Sequence, residues 1–164
     1  MTVIVVMGVS GSGKTTVGEA LAERLGVEYA EADTFHPKAN IEKMTAGHAL
    51  TDADREPWLQ AIAHWIAAHQ ESGGIVSSSA LKRRYRDELR AGGSVWFLHL
   101  HGDRDVLAER MQARKGHFMP VTLLDSQLAD LEPLQPDEPG HVVEITEPPA
   151  ALVEAALHAF QERA

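Results

Sequence analysis

The stretch MGVSGSGKTT, residues 7–16, sets Gly8, Gly13, Lys14 and Thr15 in the order Gly-x-x-x-x-Gly-Lys-[Ser/Thr]. That spacing marks a phosphate-binding loop when a strand leads into it and a helix follows. Residues 3–7 are a β-branched apolar run without alternation, as expected for a strand covered on both faces of a parallel sheet. Residues 13–25 carry Val17, Leu21 and Leu25 at i, i+4 and i+8 and stop at Gly26, which is placed to end a helix. Gly8, Gly11 and Gly13 let backbone N–H groups crowd around phosphate oxygens where a Cβ would obstruct them. Lys14 is placed to reach the β- and γ-phosphates and Thr15 to set its hydroxyl on Mg²⁺, while the helix start turns its positive end to the anion. Ser10, Ser12 and Thr16 complete the loop. A bound nucleoside triphosphate is therefore expected, and what accepts its phosphoryl group must be read from the rest of the chain.

Working outward, 164 residues with 44% hydrophobic side chains suit one domain, residues 1–164, built on a single core. A formal charge of −9 opposes a nucleic-acid or anionic-membrane surface, since a polyanion is bound by a basic patch. The absence of cysteine removes disulfides and thiolate metal sites and fits a reducing compartment, with the cytoplasm as the default. The opening apolar run is too short to span a bilayer and has no signal-peptide pattern. Residues 74–80, 94–100 and 141–146 read as further strands, each followed by a helix, and residues 27–32 as a weaker one. The alternation predicts an α/β domain with a mostly parallel sheet of about five strands and right-handed crossovers.

Two segments interrupt that alternation. Residues 33–72 hold a helix near 37–46 and then TDADREPWLQAIAHWIAAH, where Trp58, Ile62, Trp65, Ile66 and His69 form a helical stripe. Pro57 is expected only within the first turn of that helix. Residues 114–140 begin basic and end rich in proline and aspartate. Inserts of this kind often cover a site.

Several side chains have the chemistry a phosphoryl acceptor site needs. Glu31 and Asp33 fall near the carboxyl edge of the sheet, where ligands of open α/β folds bind. A carboxylate there can hold a metal-bound water or take the acceptor's proton; Asp33 suits that role, and Glu31 reads more readily as a cap or solvated acid. His36 lies three residues on, at the mouth of the insert. Lys82 and Arg86, four apart after the third strand, are expected on one helix face as a cationic cluster for an anionic substrate group. Arg110 and Arg114 are also four apart, and Gly116 behind them offers a hinge for a cover closing over the transferring group. His99 and His101 share one strand face, but no third ligand at convincing spacing accompanies them.

Taken together, MGVSGSGKTT, DTFHPKANIEKMTAGHALTDADREPWL, SALKRRYRDELR and RMQARKGHFMP with LLDSQLADLEPL resemble the gluconokinases, small ATP-dependent kinases of D-gluconate. The resemblance implies a P-loop NTPase of the adenylate-kinase-like type, with a substrate-binding helical insert near 34–72 and a lid near 114–126. It further implies ATP with Mg²⁺, and 6-phospho-D-gluconate formed at the C6 hydroxyl. Carried over by position, Lys14, Asp33 and Arg114 would be catalytic. Gly8 to Thr16 and Arg110 would hold the nucleotide, and Asp33, His36, Arg55, Lys82, Arg86 and Gln127 would bind substrate. Relatives often have cysteine at Ser78 and proline at Ala49; neither change removes a needed charge. A shikimate or nucleoside-monophosphate kinase would share loop and fold but not the insert, and a non-catalytic nucleotide-binding protein is the remaining alternative. Apolar area on the insert could support a homodimer.

Overall fold

Val3–Met7 (β1) is buried at every position, which is why its sequence does not alternate. Ile4 and Val6 enter one hydrophobic cluster while Val3, Val5 and Met7 enter another on the opposite face. The computed structural model describes residues 2–48, 50–113 and 121–163, and within 111–113 and 121–123 the backbone alone. Around β1 lie Glu28–Glu31 (β2), Gly74–Ser77 (β3), Val95–His101 (β4) and Gly140–Glu144 (β5), in the spatial order β2-β3-β1-β4-β5. Every pairing is parallel, and the register sets Glu31 beside Ser77 and Met7 beside His99 at the carboxyl edge. The expected five-stranded parallel sheet is present, and the weaker strand expectation at residues 27–32 is its outer strand β2.

Helices cover both faces. Lys14–Leu25 (α1) and Pro149–Gln161 (α7) pack on the Ile4 and Val6 face through Val17, Leu21, Leu152 and Val153. Asp52–Ala68 (α3) and Arg83–Arg90 (α4) pack on the other through Trp58, Leu59, Ile62, Tyr85 and Leu89. Each such large apolar side chain contributes on the order of 1.5–3 kcal/mol by leaving water. Lys38–Thr45 (α2) precedes α3; Arg104–Ala113 (α5) and Val121–Asp130 (α6) pack on each other between β4 and β5. Among the described residues no helix is long and apolar enough to cross a membrane.

Two local expectations are corrected. Pro57 is not in the first turn of α3 but at its sixth residue, so Ala53 loses its in-helix donor. A complete capping box at the helix start offsets this: Thr51 Oγ1 accepts from the Asp54 N–H at 3.1 Å, and the Asp54 carboxylate accepts from the Thr51 N–H at 2.8 Å. Lys82 is not on the face of α4 but caps it from extended backbone, so Lys82 and Arg86 do not form an i, i+4 pair.

Candidate active site

The phosphate loop leaves β1 at Gly8, whose φ of 149° belongs to glycine and where a Cβ would lie 2.8 Å from the Leu100 carbonyl oxygen. The Gly8 N–H donates to Ser79 O at 3.3 Å, tying the loop to the chain beyond β3. Ser12 donates through its hydroxyl to Val9 O at 2.7 Å and fixes the loop's curvature. Lys14 Nζ lies across the loop, donating to Gly8 O at 2.9 Å and Val9 O at 3.1 Å. Gly13 caps α1 in the left-handed conformation with no side-chain cap, so the helix's leading N–H groups face the loop. Gly11, Ser12, Gly13, Thr16 and Arg110 line one cleft of about 330 Å³ that Val17, Pro149 and Leu152 close on its apolar side. Arg110 is held there by donation to Ile145 O at 2.5 Å.

At the end of β2, Glu31 Oε1 accepts from the Thr15 hydroxyl at 2.5 Å and from the Tyr29 hydroxyl at 2.6 Å. Glu31, which by sequence reads as a cap or solvated acid, is instead fixed between two hydroxyls; only its period-two spacing from Tyr29 and its place at the strand end point to this. Burial first, and then the Glu31 carboxylate, push the Tyr29 hydroxyl's pKa upward, keeping it a donor.

Asp33 sits on the 3-10 turn Ala32–Phe35 with its side chain exposed. That turn is anchored from below, where Trp58 Nε1 donates to Ala32 O at 2.7 Å. His36 stacks on Trp58 with ring centroids 4.3 Å apart. Burial lowers the pKa of His36, Asp33 opposes and Arg55 adds to the lowering, which favours the neutral ring. Arg55 donates to the Tyr85 hydroxyl at 3.0 Å, and both Arg55 and Lys82 lie over the Tyr85 ring, at 5.4 and 5.7 Å. Asp52 accepts from the same Tyr85 hydroxyl at 2.7 Å. Asp33, His36, Arg55 and Lys82 thus gather at one edge of the sheet. Tyr85 and Asp52, which organise the cations, carried no sequence signal beyond their place in the two helices.

Arg86 is not among them. Its side chain is fully buried; it donates to both oxygens of Glu138, at 2.7 and 3.0 Å, and to the carbonyls of Ala80, Leu81 and Pro133. Burial, the largest single influence, pushes the Glu138 carboxyl up, but the Arg86 hydrogen bonds, the Gln135 N–H and the Arg86 and Arg83 charges together outweigh it and hold it below the usual range. Arg86 therefore shapes the loop bearing Lys82 and does not face the cleft. Removing one partner of such a pair strands a buried charge, so Glu138→Ala should lose about 3–5 kcal/mol of stability. Urea unfolding measures this, and a loss under about 1 kcal/mol, the worth of an exposed pair, would contradict the assignment.

Gln127, on α6, accepts from the Ser10 N–H at 2.7 Å and so touches the phosphate loop. Arg114 and residues 114–120 of the expected lid lie outside the described residues. His99 is buried, its Nδ1 has no hydrogen-bond partner among the described residues, and its pKa is lowered to about 4, chiefly by desolvation. Among the described residues no cluster of three or more potential metal ligands occurs.

Comparison with known proteins agrees with this geometry. The AAA domain family model matches residues 4–119. Gluconokinase from Gluconobacter oxydans is 47% identical over 161 residues, covering 96% of this chain and 90% of that protein. The chain belongs to the gluconokinase family. A gluconokinase structure from Sinorhizobium meliloti superposes with a TM-score of 0.90 at 49% identity, over 98% of this chain and 91% of the other. A sugar kinase from Janibacter sp. HTCC2649 gives a TM-score of 0.92 at 51% identity, over 98% and 95%. The family's fold is the adenylate-kinase-like P-loop fold, as the five-stranded sheet and its loop indicate.

Proposed function

We propose that the protein transfers the γ-phosphoryl group of ATP to the C6 hydroxyl of D-gluconate, giving 6-phospho-D-gluconate and ADP. The observation that carries this reading is the placement of Asp33, His36, Arg55 and Lys82 at the same sheet edge as the phosphate loop. The loop N–H groups and Lys14 hold the triphosphate, and the cleft lined by Arg110, Val17 and Leu152 takes the nucleoside. Thr15 and Glu31 offer hard oxygen donors that suit Mg²⁺. When bound, the ion neutralises charge on the β- and γ-phosphates. Arg55 and Lys82 receive the gluconate carboxylate, which directs the far end of the chain toward Asp33. Asp33 takes the C6 hydroxyl proton as that oxygen bonds to the γ-phosphorus and the bond to the ADP oxygen breaks. Arg114, on a lid spanning 114–126, closes over the transferring group, and Gln127 follows it from α6.

Asp33→Asn keeps the shape and removes the proton acceptor, so kcat should fall at least ~10²-fold while ATP affinity changes little. A loss confined to the gluconate KM would make Asp33 a binding residue only. The reading as a whole is tested by ADP release against a panel of sugar acids, shikimate and nucleoside monophosphates. Gluconate should be the preferred acceptor, and no release with any of them would leave a nucleotide-binding protein without turnover. A reaction drawing on ATP fits the cytoplasm as its compartment, and a charge of −9 opposes a nucleic-acid surface. Ile41 and Met44, exposed on α2, are the surface a homodimer would use.

A further inference from the structure

Glu31 Oε1 receives two hydrogen bonds, from Thr15 and from Tyr29, while its other oxygen has no hydrogen-bond partner among the described residues. Two donors on one oxygen fix the rotation of a carboxylate, and Thr15, whose single proton goes to Glu31, keeps its lone pairs for a cation. Tyr29 reaches this position for structural reasons. It stands two residues before Glu31 on β2, hence on the same face. Its ring lies against α1 at Gly18, where a Cβ would come within 2.5 Å of Tyr29 Cε1. Its hydroxyl oxygen also accepts from Ser77 Oγ at 2.7 Å, and Ser77 Oγ lies 3.3 Å from Lys14 O. A chain of hydroxyls and one carboxylate therefore connects β3, β2 and the first turn of α1 directly behind the phosphate loop.

We propose that Tyr29 is a positioning residue for the metal side of the reaction, holding Glu31 in the one orientation that presents its second oxygen beside Thr15. The proposal rests on the reading of Thr15 and Glu31 as the Mg²⁺-facing pair. Tyr29 itself touches neither substrate nor metal. Phenylalanine preserves the ring packed on Gly18 and removes only the hydroxyl, so Tyr29→Phe separates orientation from packing.

The test is a binding experiment, with Mn²⁺ as the paramagnetic probe and ADP as the nucleotide. Free Mn²⁺ is followed by electron paramagnetic resonance, and ADP affinity is measured by calorimetry with and without the ion. In Tyr29→Phe the Mn²⁺ concentration that half-saturates the ADP complex should rise about tenfold, as expected when an outer-shell partner of a metal ligand is removed. Metal-free ADP affinity should stay within about twofold, because the loop N–H groups are untouched. Glu31→Gln should raise the half-saturating concentration at least as much. Ser77→Ala, which removes the hydroxyl that donates to Tyr29 and steadies its orientation, should shift it the same way by about threefold, on the order of one neutral hydrogen bond. If Tyr29→Phe leaves the Mn²⁺ dependence unchanged while Glu31→Gln shifts it, the positioning role is overturned and the metal reading of Glu31 stands. If neither variant shifts it, the metal reading fails and the proposal falls with it. Should Tyr29→Phe not fold, an unshifted Ser77→Ala overturns the role on its own.

Discussion

Lys14→Ala is expected to lower kcat by at least ~10³-fold, the scale on which cationic groups act on a transferring phosphoryl group. The lysine begins α1, and the bonds it makes to Gly8 O and Val9 O hold its ammonium over the concavity of the loop. Nothing in the hydrophobic core depends on it. The variant should therefore keep its circular dichroism spectrum and a thermal midpoint within a few degrees of the parent, so that lost activity is read as chemistry. The loss should appear in kcat with gluconate KM nearly constant, because the charge is used most when negative charge shifts onto the leaving ADP oxygen. Near-parental kcat would remove the nucleotide assignment at its root.

The second large effect concerns the acceptor. Glucose, which lacks the carboxylate, should have a kcat/KM at least ~10³-fold below that of gluconate, equivalent to ~4 kcal/mol or more. The reason is the arrangement around Tyr85. Among the described residues Arg55 uses one hydrogen bond on the Tyr85 hydroxyl and stands 3.9 Å from Asp52. Its remaining donors, with the Lys82 ammonium over the same ring, can pair with a carboxylate in a site that closes. A neutral substrate leaves the Lys82 ammonium and the remaining Arg55 donors without the carboxylate they would pair with in the closed site, which costs more than an exposed ion pair contributes. Because Arg86 is committed to Glu138, discrimination should be lost in Arg55→Ala and Lys82→Ala through the gluconate KM. Steady-state kinetics on both acceptors measures it, and a glucose to gluconate ratio within tenfold would count against an anion-reading pocket.

Much of the fold was legible because its signals are local. A strand buried on both faces reads as an unbroken apolar run, and β1 did so. The glycine and lysine spacing of the loop depends on a few consecutive residues, and the structure keeps them between β1 and α1. What could not be read depends on partners far apart in the chain. Arg86 looked like a substrate cation because its sequence neighbours are basic, whereas its partner Glu138 lies 52 residues away and both are buried. Nothing in a helical period distinguishes an arginine facing a cleft from one under a loop. Glu31 is the converse case, an ordinary acid by sequence whose meaning comes from Thr15 arriving 2.5 Å from it. Propensity alone puts Pro57 in a first turn, and the capping box with the Trp58, Leu59 and Ile62 packing overrides that preference.

Chemistry at one end of an open-chain acid is the most specific consequence of binding the other end. The identity of the phosphorylated product therefore tests the account most directly, by phosphorus NMR after complete turnover of gluconate with ATP and Mg²⁺. A single new ester coupled to the C6 methylene protons, oxidised by 6-phosphogluconate dehydrogenase, is the expected result. Phosphate on any other hydroxyl, or faster turnover of shikimate or a nucleoside monophosphate than of gluconate, would contradict it.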